Sequence, residues 1–335
     1  MRGEPSLSTG TRAALDRLAE RHRIRLIEVL PWILAIATYF LYPTHLTLGA
    51  RIFVLILFVL SLDLLLGYAG ILSLGHAAFF GLGAYAAGLL SVHVTGEPLT
   101  GLAAGALIGA AVGAASGAVI LRTHGLAFLM LTLAFLMLLQ EGANRAAWLT
   151  GGADGLQGVA IDPVFGLYRF DIFGRTAYLY ALAVLFVAFV FVRTLVHSPF
   201  GQSLRGIRDN PGRMAALGVN VRARSIAVYA IASGLAGVAG ALNAQTTQQV
   251  ALNVLSFDLS GAALVMLILG STGRLYGAFV GTTIFVIAED WLALLNPAFW
   301  PFWMGLVLVV VVMAGRGGVL SIAQDAWRGW WRTKP

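Results

Sequence analysis

The chain has 335 residues, of which 59% are hydrophobic and only 11% are charged, whereas soluble domains are about one quarter charged. This composition predicts a bundle of membrane helices and excludes an ordinary soluble domain. The absence of cysteine rules out disulfides, thiolate metal sites and a cysteine nucleophile.

The N-terminal segment, residues 1–25, is expected to be a cytoplasmic tail or an interfacial helix over Thr11–Arg25. A disordered basic tail is the alternative. A cleaved signal peptide is not expected, because no small-residue cleavage site follows the first apolar run and many more runs come after it.

Ten apolar runs are long enough, or nearly long enough, to cross a bilayer. They are Leu26–Tyr42, Ile52–Tyr68, His76–Val92, Leu99–Leu121, Leu126–Gln140, Ala177–Val192, Ile226–Ala244, Leu259–Gly270, Leu275–Leu294 and Ala298–Ala314. Leu126–Gln140 and Leu259–Gly270 are shorter than the ~20 residues of a full span, so either is a candidate half-helix. We expect an all-α integral membrane protein, a polytopic bundle of about ten transmembrane segments (eight to ten).

Arginine placement predicts the topology of this bundle. The basic N-terminus, the loop 193–225 and the C-terminal tail 316–335 all fall on one side if ten segments cross. The long loop 141–176 on the other side mixes basic and acidic residues. Because cytoplasmic loops carry the excess of arginine and lysine, both termini are expected inside, flanking a permease domain at 26–315. The formal charge of +7 is explained in this way, and no nucleic-acid partner is expected.

Glycines recur at every fourth position from Gly101 to Gly117. Residues four apart share a helix face, so this face is a groove that a second helix can approach closely. Ser233, Gly237 and Ala241 repeat the spacing. Close helix packing is the expected role of both patterns.

The stretch GYAGILSLGHAAFFGLGAY, residues 67–85, interrupts an apolar run with glycines. Broken helices at membrane depth often form solute sites, because protein or a water-filled cavity must satisfy the freed backbone groups. Ser73, Gly75 and His76 are therefore candidates for the translocation pathway. The alternative is a tight turn in which His76 bonds a neighbouring helix.

The stretch TGGADGLQGV, residues 150–159, contains Gly-Gly and Asp-Gly turn signals. Its successive amides suggest an anion-binding nest, which makes Thr150, Gly151, Gly152 and Asp154 further pathway candidates. A plain structured loop is the alternative.

Three acidic residues fall inside apolar runs, namely Asp63, Glu289 and Asp290. Intramembrane acids are costly and usually functional, so they suggest an ion-coupled secondary carrier as the alternative to an ATP-driven transporter. The alternative places them near the ends of spans, bonded to neighbouring helices. No arginine is expected deep in a run to pair with them. The sequence shows no hydrolase or metalloprotease motif, and its histidines lack metal-ligand spacing, so no catalytic or metal site is expected.

The polar stretch SPFGQSLRGIRDNPGRMAALGVNVRARS, residues 198–225, contains a short helix with clear boundaries. Asn210 is a good N-cap, Pro211 suits the first helical position, and Gly218 suits the left-handed position after the end. Met214 and Leu217 lie three residues apart, and Arg205, Arg208 and Arg213 surround them. Docking to another protein is the favoured role, and a linker helix on lipid headgroups is the alternative.

The chain resembles the LivM-type permeases of bacterial branched-chain amino acid ABC importers. The similar stretches are SLDLLLGYAGILSLGHAAFFGLGAYAAGLL (61–90), TGGADGLQGV (150–159), SPFGQSLRGIRDNPGRMAALGVNV (198–221) and LVMLILGSTGRLYGAFVGT (264–282). The resemblance implies a non-enzymatic permease subunit in the bacterial inner membrane. Related permeases for urea, short amides or aromatic acids belong to the same class, so the substrate stays open at this point.

The resemblance also implies partners: a homologous second permease (LivH-like), two cytoplasmic ATPase subunits, a periplasmic solute-binding protein and membrane lipid. The partner subunits bind ATP, and the chain itself needs no cofactor, in keeping with the absence of a phosphate-binding G-x-x-x-x-G-K motif. The implied ATPase-coupling helix comprises Arg208, Asp209, Asn210, Pro211, Arg213, Met214, Leu217 and Gly218. Residues 211–213 read Pro-Gly-Arg where many relatives carry an acid, a departure that bears on charge pairing with the ATPase.

Overall fold

The computed structural model describes residues 26–295 apart from 165, 167, 172 and 173, together with residues 297, 299, 302, 303, 305, 306 and 309. The expected N-terminal tail or helix, the C-terminal tail and most of the last apolar run, Ala298–Ala314, lie outside the described residues. The contacts divide the chain at Leu41 into two units.

The first unit contributes one described helix, α1, at Leu26–Leu41, with Pro31 inside it. The second unit contains the helices of the bundle. They are α2 Leu46–Asp63, α3 Ala77–His93, α4 Pro98–Ile120, α5 Leu126–Arg145, α6 Ala147–Thr150, α7 Arg175–His197, α8 Pro199–Asp209, α9 Pro211–Ala216, α10 Val221–Thr247, α11 Phe257–Gly270 and α12 Leu275–Leu295. Extended backbone in the described part is limited to two isolated bridges, Leu156 with Val250 and Val164 with Tyr168.

The all-α prediction is confirmed over the described residues, and nine of the ten predicted apolar runs fall on helices. Six of the described helices are long and apolar enough to cross a membrane, and α1, α3 and α11 are shorter apolar helices. The predicted number of about ten spans therefore stays a prediction.

The prediction that Leu126–Gln140 is a short segment is wrong. Helix α5 continues through five more residues, three of them polar or charged, and reaches 20 residues. An ion pair one turn apart, between Arg145 and Glu141 at 2.6 Å, supports the extension. By contrast α11 is only 14 residues long, as the short run Leu259–Gly270 suggests.

Helix α2 lies at the centre of the bundle. Almost every residue from Phe53 to Leu65 is buried, because α7, α10, α11 and α12 all pack around this helix. An all-round apolar helix is stable in this position since every face meets another helix. The elements that contact α2 can therefore act on it directly.

The predicted glycine groove is confirmed as the seam between α4 and α10. All five glycines from Gly101 to Gly117 are buried. A Cβ atom at Gly109 would lie 2.5 Å from the carbonyl oxygen of Ser233, and one at Gly105 would lie 2.8 Å from Cβ of Ala241. Glycine is required at Gly105 and Gly109 because the backbone carbonyls of Gly237 and Ser233 occupy the neighbouring space.

Candidate functional site

The polar stretch folds into two consecutive helices, α8 and α9. Each begins with a capping residue followed by proline. Ser198 Oγ accepts the N–H of Gly201 at 3.4 Å, and Asn210 Oδ1 accepts the N–H of Arg213 at 2.9 Å. The sequence pattern predicted α9 but not α8, although Ser198-Pro199 carries the same start signal as Asn210-Pro211.

The predicted boundaries of α9 are confirmed. Gly218 has a φ of 83° and its N–H donates to the carbonyl of Ala215 at 3.0 Å. The N–H of Val219 donates to the carbonyl of Met214 at 3.1 Å. This pair of bonds is the Schellman motif, which satisfies carbonyls at the end of a helix. A six-residue helix is thus fixed at both ends.

The two apolar side chains of α9 have different surroundings. A Cβ atom at Gly206 of α8 would lie 2.5 Å from the sulfur of Met214, so Met214 packs directly on α8. Leu217 is 72% exposed. Met214 therefore holds α9 against α8, and Leu217 is the apolar residue left available to a partner.

Helix α2 ends in the predicted break. Its last turn, Leu64–Tyr68, is a π-helix, and Gly70 takes a φ of 73°. The N–H of Ile71 donates to the carbonyl of Leu65 at 2.9 Å. From there the chain runs without regular structure until α3 begins at Ala77. π-turns are rare and often mark functional positions.

Helix α8 contacts this break through two arginines. Nη1 of Arg208 donates to the carbonyl oxygen of Gly67. The guanidinium of Arg205 lies over the ring of Tyr68, 5.1 Å from its centroid, in a cation–π contact. A Cβ atom at Gly70 would lie 2.7 Å from Cγ of Arg208, so only glycine leaves room for the arginine stem.

The turn between α11 and α12 reaches the same place. The N–H of Gly273, a residue with a φ of 75°, donates to Oδ1 of Asp63 at 2.7 Å. A Cβ atom at Gly67 would lie 2.7 Å from Cα of Gly273. The break, α8 and this turn therefore form one junction, which we call the α2–α8 junction: residues 63–70, 205–208 and 271–274. Three of the four stretches that carry the family resemblance meet there.

The candidate pathway residues at the start of α3 are buried. Nε2 of His76 lies 2.8 Å from Oγ of Ser61, whose hydroxyl donates to the carbonyl of Phe58 at 2.6 Å. The ring of His76 stacks on Phe58 with centroids 5.4 Å apart. These contacts favour the reading of His76 as a bond between helices.

Ser73 and Gly75 lie beside α5. Ser73 is 1% exposed. A Cβ atom at Gly75 would overlap the carbonyl oxygen of Thr132, and the N–H of Leu74 donates to Oγ1 of Thr132 at 3.3 Å. The chain after the break is thus held by α5 as well as by α8.

The loop at 150–155 is a structured loop. The N–H groups of Gly151 and Gly155 donate to the carbonyls of Ala147 and Gly152 at 3.0 and 3.2 Å. Thr150 Oγ1 donates to the carbonyl of Ala146 at 3.0 Å. These internal bonds favour the plain-loop alternative over a free anion-binding nest, and the side chain of Asp154 is exposed.

The two groups of pathway candidates lie far apart. His76 precedes the first residue of α3, whereas a Cβ atom at Gly88, near the other end of that helix, would lie 2.8 Å from Leu156 in the loop. Twelve helical residues span about 18 Å. The groups are therefore not parts of one binding pocket.

The acidic residues do not form a cluster either. Nη2 of Arg51, near the start of α2 and outside the predicted apolar runs, lies 3.1 Å from each carboxylate oxygen of Glu289. Asp290 is exposed. Asp63 lies twelve residues along α2 from Arg51, about 18 Å away. Among the described residues no group of three metal-ligating side chains is found.

A cavity of about 690 Å³ lies at the opposite end of α2 from the junction. Its lining combines apolar residues with the polar residues Thr47, Arg51, Asp171, Asn243, Gln248 and Asn253. No local pattern in the sequence predicts this cavity, because its residues come from α2, α7, α10 and two loops.

Comparison with known families decides the class of the protein. A family model described as "Branched-chain amino acid transport system / permease component" matches residues 46–313, about four-fifths of the chain. The chain belongs to this permease family. It is accordingly a multi-pass membrane permease component, and the match covers the whole α2–α8 junction.

Individual relatives agree with this family. The permease is 29% identical over 148 residues to the probable branched-chain amino acid transport permease LivM of Methanocaldococcus jannaschii, covering 41% of this chain and 43% of that one. It is 23% identical to the high-affinity LivM permease of Escherichia coli, covering 59% and 52%. A probable ABC transporter permease of E. coli, YphD, is 31% identical, covering 40% and 42%.

The matched part of the permease spans about half the length of these curated relatives. No solved structure matches the chain.

Proposed function

We propose that the protein is the transmembrane permease subunit of an ABC importer for branched-chain or related small apolar amino acids. Family membership over residues 46–313 carries this proposal. Separate ATPase subunits bind ATP and drive transport, and the chain has no catalytic site or cofactor of its own. The naming of two LivM proteins among its relatives supports branched-chain amino acids as the substrate class.

The proposed setting is the bacterial inner membrane, with about ten spans and both termini in the cytoplasm. The permease domain covers 26–315, between the tails 1–25 and 316–335. In this orientation the loop 193–225 is cytoplasmic and the loop 141–176 is external, following the arginine distribution. The cavity at the start of α2 then faces the side from which solute arrives.

Helices α8 and α9 are the proposed contact with the ATPase. The pair is a rigid unit because α9 is capped at both ends and Met214 packs on Gly206. Leu217 is the exposed apolar residue that would enter a cleft on the partner. Arg208, Asp209, Asn210, Pro211, Arg213, Met214, Leu217 and Gly218 make up the proposed coupling segment.

The proposed cycle is a population shift between inward-facing and outward-facing states. ATP binding closes the ATPase dimer, α8 and α9 move with it, and the bundle rearranges. A homologous LivH-like permease, two ATPase subunits and a periplasmic solute-binding protein complete the proposed assembly. Two groups of residues are proposed to line or support the pathway. Ser73, Gly75 and His76 do so at the start of α3, and the loop at Thr150–Asp154 does so near its other end.

An ion-coupled carrier receives less support from the structure. Glu289 is paired with Arg51, Asp63 accepts a backbone N–H, and the two acids lie at opposite ends of α2. A coupled ion would need several of these oxygens at one place. Urea, short amides and aromatic acids remain alternative substrates within the same ABC class.

The test is uptake in a bacterial strain that lacks its own importers for these solutes. The gene is expressed together with genes from the same genome for the proposed ATPase, second permease and binding-protein subunits. Uptake of radiolabelled leucine, isoleucine, valine, phenylalanine, acetamide and urea is compared. Uptake of the three branched-chain amino acids that disappears when this gene alone is omitted is the expected result. Uptake of urea or acetamide alone would assign the protein to the alternative substrate class.

A further inference from the structure

The end of α2 has an unusual cap. The last carbonyl groups of a helix have no partner within the helix, and a local glycine or a nearby side chain usually satisfies them. Here the carbonyl of Gly67 accepts a hydrogen bond from Arg208, a residue 141 positions away in the sequence. A positive charge at this end of a helix is also favoured by the helix dipole.

Three contacts fix Arg208 in this position. Its stem lies against Gly70, where a Cβ atom would be 2.7 Å from Cγ. Its guanidinium lies beside Gly273, where a Cβ atom would be 3.4 Å from Nη1. Its Nε lies 3.5 Å from Oδ1 of Asp209. The guanidinium therefore donates a hydrogen bond to the end of α2, while the backbone of Arg208 belongs to α8.

Helix α8 is anchored independently of this arginine. Leu204 and Ile207, on the same helix, are 0% and 6% exposed, and the Arg205–Tyr68 contact adds a second link. A change at Arg208 therefore leaves the apolar packing of α8 intact. The hydrogen bond to Gly67 can be removed without unfolding the segment.

We propose that Arg208 is the positioning residue that transmits movement of α8 and α9 to the break in α2. When the ATPase displaces α8, the cap on Gly67 is withdrawn, and residues 64–76 rearrange to open the pathway on one side. Because the same arginine contacts Gly67, Gly70 and Gly273, one displacement acts on both chain segments of the junction. This inference rests on the proposed importer function and adds the residue through which coupling occurs.

Arg222 provides a matched control. It also lies in the polar stretch, in the first turn of α10, and its Nη2 donates to the carbonyl of Ala118 in α4 at 3.3 Å. Both Arg208 and Arg222 therefore donate a hydrogen bond to a backbone carbonyl near the end of another helix. However, α4 has no break near this bond, so Arg222 has no route to the pathway.

The experiment uses the full complex with its ATPase, permease and binding-protein partners in proteoliposomes. ATP hydrolysis and leucine uptake are measured in the same vesicles for wild type, Arg208→Gln, Arg208→Lys and Arg222→Gln. Loss of a hydrogen bond from a charged donor corresponds to a change of about tenfold. We expect leucine imported per ATP hydrolysed to fall about tenfold in Arg208→Gln, which has only a shorter, uncharged donor. It should fall less in Arg208→Lys, which keeps a cationic donor, and stay unchanged in Arg222→Gln.

A second readout follows the break itself. The chain contains no cysteine, so Ser73→Cys gives it a single thiol. This thiol lies at a buried position in the irregular segment between the π-helix and α3. Its alkylation rate with a membrane-permeant maleimide is compared with and without a non-hydrolysable ATP analogue. We expect the analogue to change the rate when Arg208 is present and to have no effect in the Arg208→Gln background.

The outcomes distinguish a failure of the role proposed for Arg208 from a failure of the proposed importer function. An unchanged ratio of leucine to ATP in Arg208→Gln, or an equal loss in Arg222→Gln, overturns the inference. If Arg208→Gln is not recovered from membranes, Arg208→Lys decides, and a wild-type ratio there also overturns it. Wild-type vesicles that hydrolyse ATP without importing any solute contradict the proposed function instead, which separates the two failures.

Discussion

A close contact between α4 and α10 predicts a specific response to one added methyl group. Gly237 of α10 faces α4, where a Cβ atom on it would overlap the carbonyl oxygen of Gly105 and lie 3.4 Å from Cα of Gly109. All of these neighbours are backbone atoms, which cannot move without shifting the whole helix. The variant Gly237→Ala therefore forces α4 and α10 apart.

The expected cost has two parts. Alanine is preferred over glycine inside a helix by about 1 kcal/mol, which stabilises the variant. Overpacking of a tight contact costs typically about 1–3 kcal/mol, and a gap of about 1 Å along the seam also forfeits up to about half of the dispersion attraction of the separated atoms. We expect the upper end of this range at a backbone contact, and thus a net loss of about 2 kcal/mol.

The measurement is thermal unfolding of the detergent-purified protein, followed by tryptophan fluorescence. A loss of this size lowers Tm by about 4 °C or more. Gly142→Ala is the control, because a Cβ atom at Gly142 in α5 meets nothing within 4 Å. That variant gains helix propensity without a clash, so its Tm should rise. If both variants shift Tm in the same direction, the close seam between α4 and α10 is refuted.

Three further predictions concern the coupling helix and the acidic residues. Asn210→Ala removes the N-cap of α9 at a cost of about 1 kcal/mol, so amide hydrogen exchange over 211–218 should quicken; unchanged exchange would show that the cap does not hold this helix. Leu217→Asp should abolish ATP-driven uptake with normal membrane insertion, whereas Leu217→Met should keep it; full uptake in the aspartate variant would exclude Leu217 from the ATPase contact. Glu289→Gln should leave uptake within about twofold of wild type, because a part-exposed ion pair contributes at most about 1 kcal/mol; abolished uptake would instead support an ion-coupled carrier.

Local patterns in the sequence predicted much of this fold. Apolar runs located nine described helices because a membrane helix needs a long apolar segment. The four-residue spacing from Gly101 to Gly117 predicted a packing seam. The caps at Asn210 and Gly218 predicted α9 with its observed boundaries. In each case the signal lies within a few residues of the structure that it specifies.

The contacts of the α2–α8 junction could not be predicted in the same way. The Arg208–Gly67 bond joins residues 141 positions apart, and the Gly273–Asp63 bond joins residues 210 positions apart. The pairing of Arg51 with Glu289 spans 238 positions. No local periodicity encodes such partners, since they depend on how the helices cross.

The break in α2 was predicted only in part from the sequence. Its glycines predicted an interruption, and Gly70 takes a left-handed conformation there. The π-helix at Leu64–Tyr68 contains one of these glycines, Gly67, but a single glycine does not predict a π-helical turn. It forms where Asp63 and Gly67 meet the turn at Gly273, which is a tertiary contact.

The central claim is that this permease moves solute with energy taken from ATP by partner subunits. The most direct measurement is leucine uptake into proteoliposomes that contain the purified complex, with either ATP at the ATPase side or an imposed proton or sodium gradient. We predict uptake that requires ATP, the binding protein and this chain together, with no uptake from either gradient alone. Uptake driven by a gradient in the absence of ATP would contradict the account.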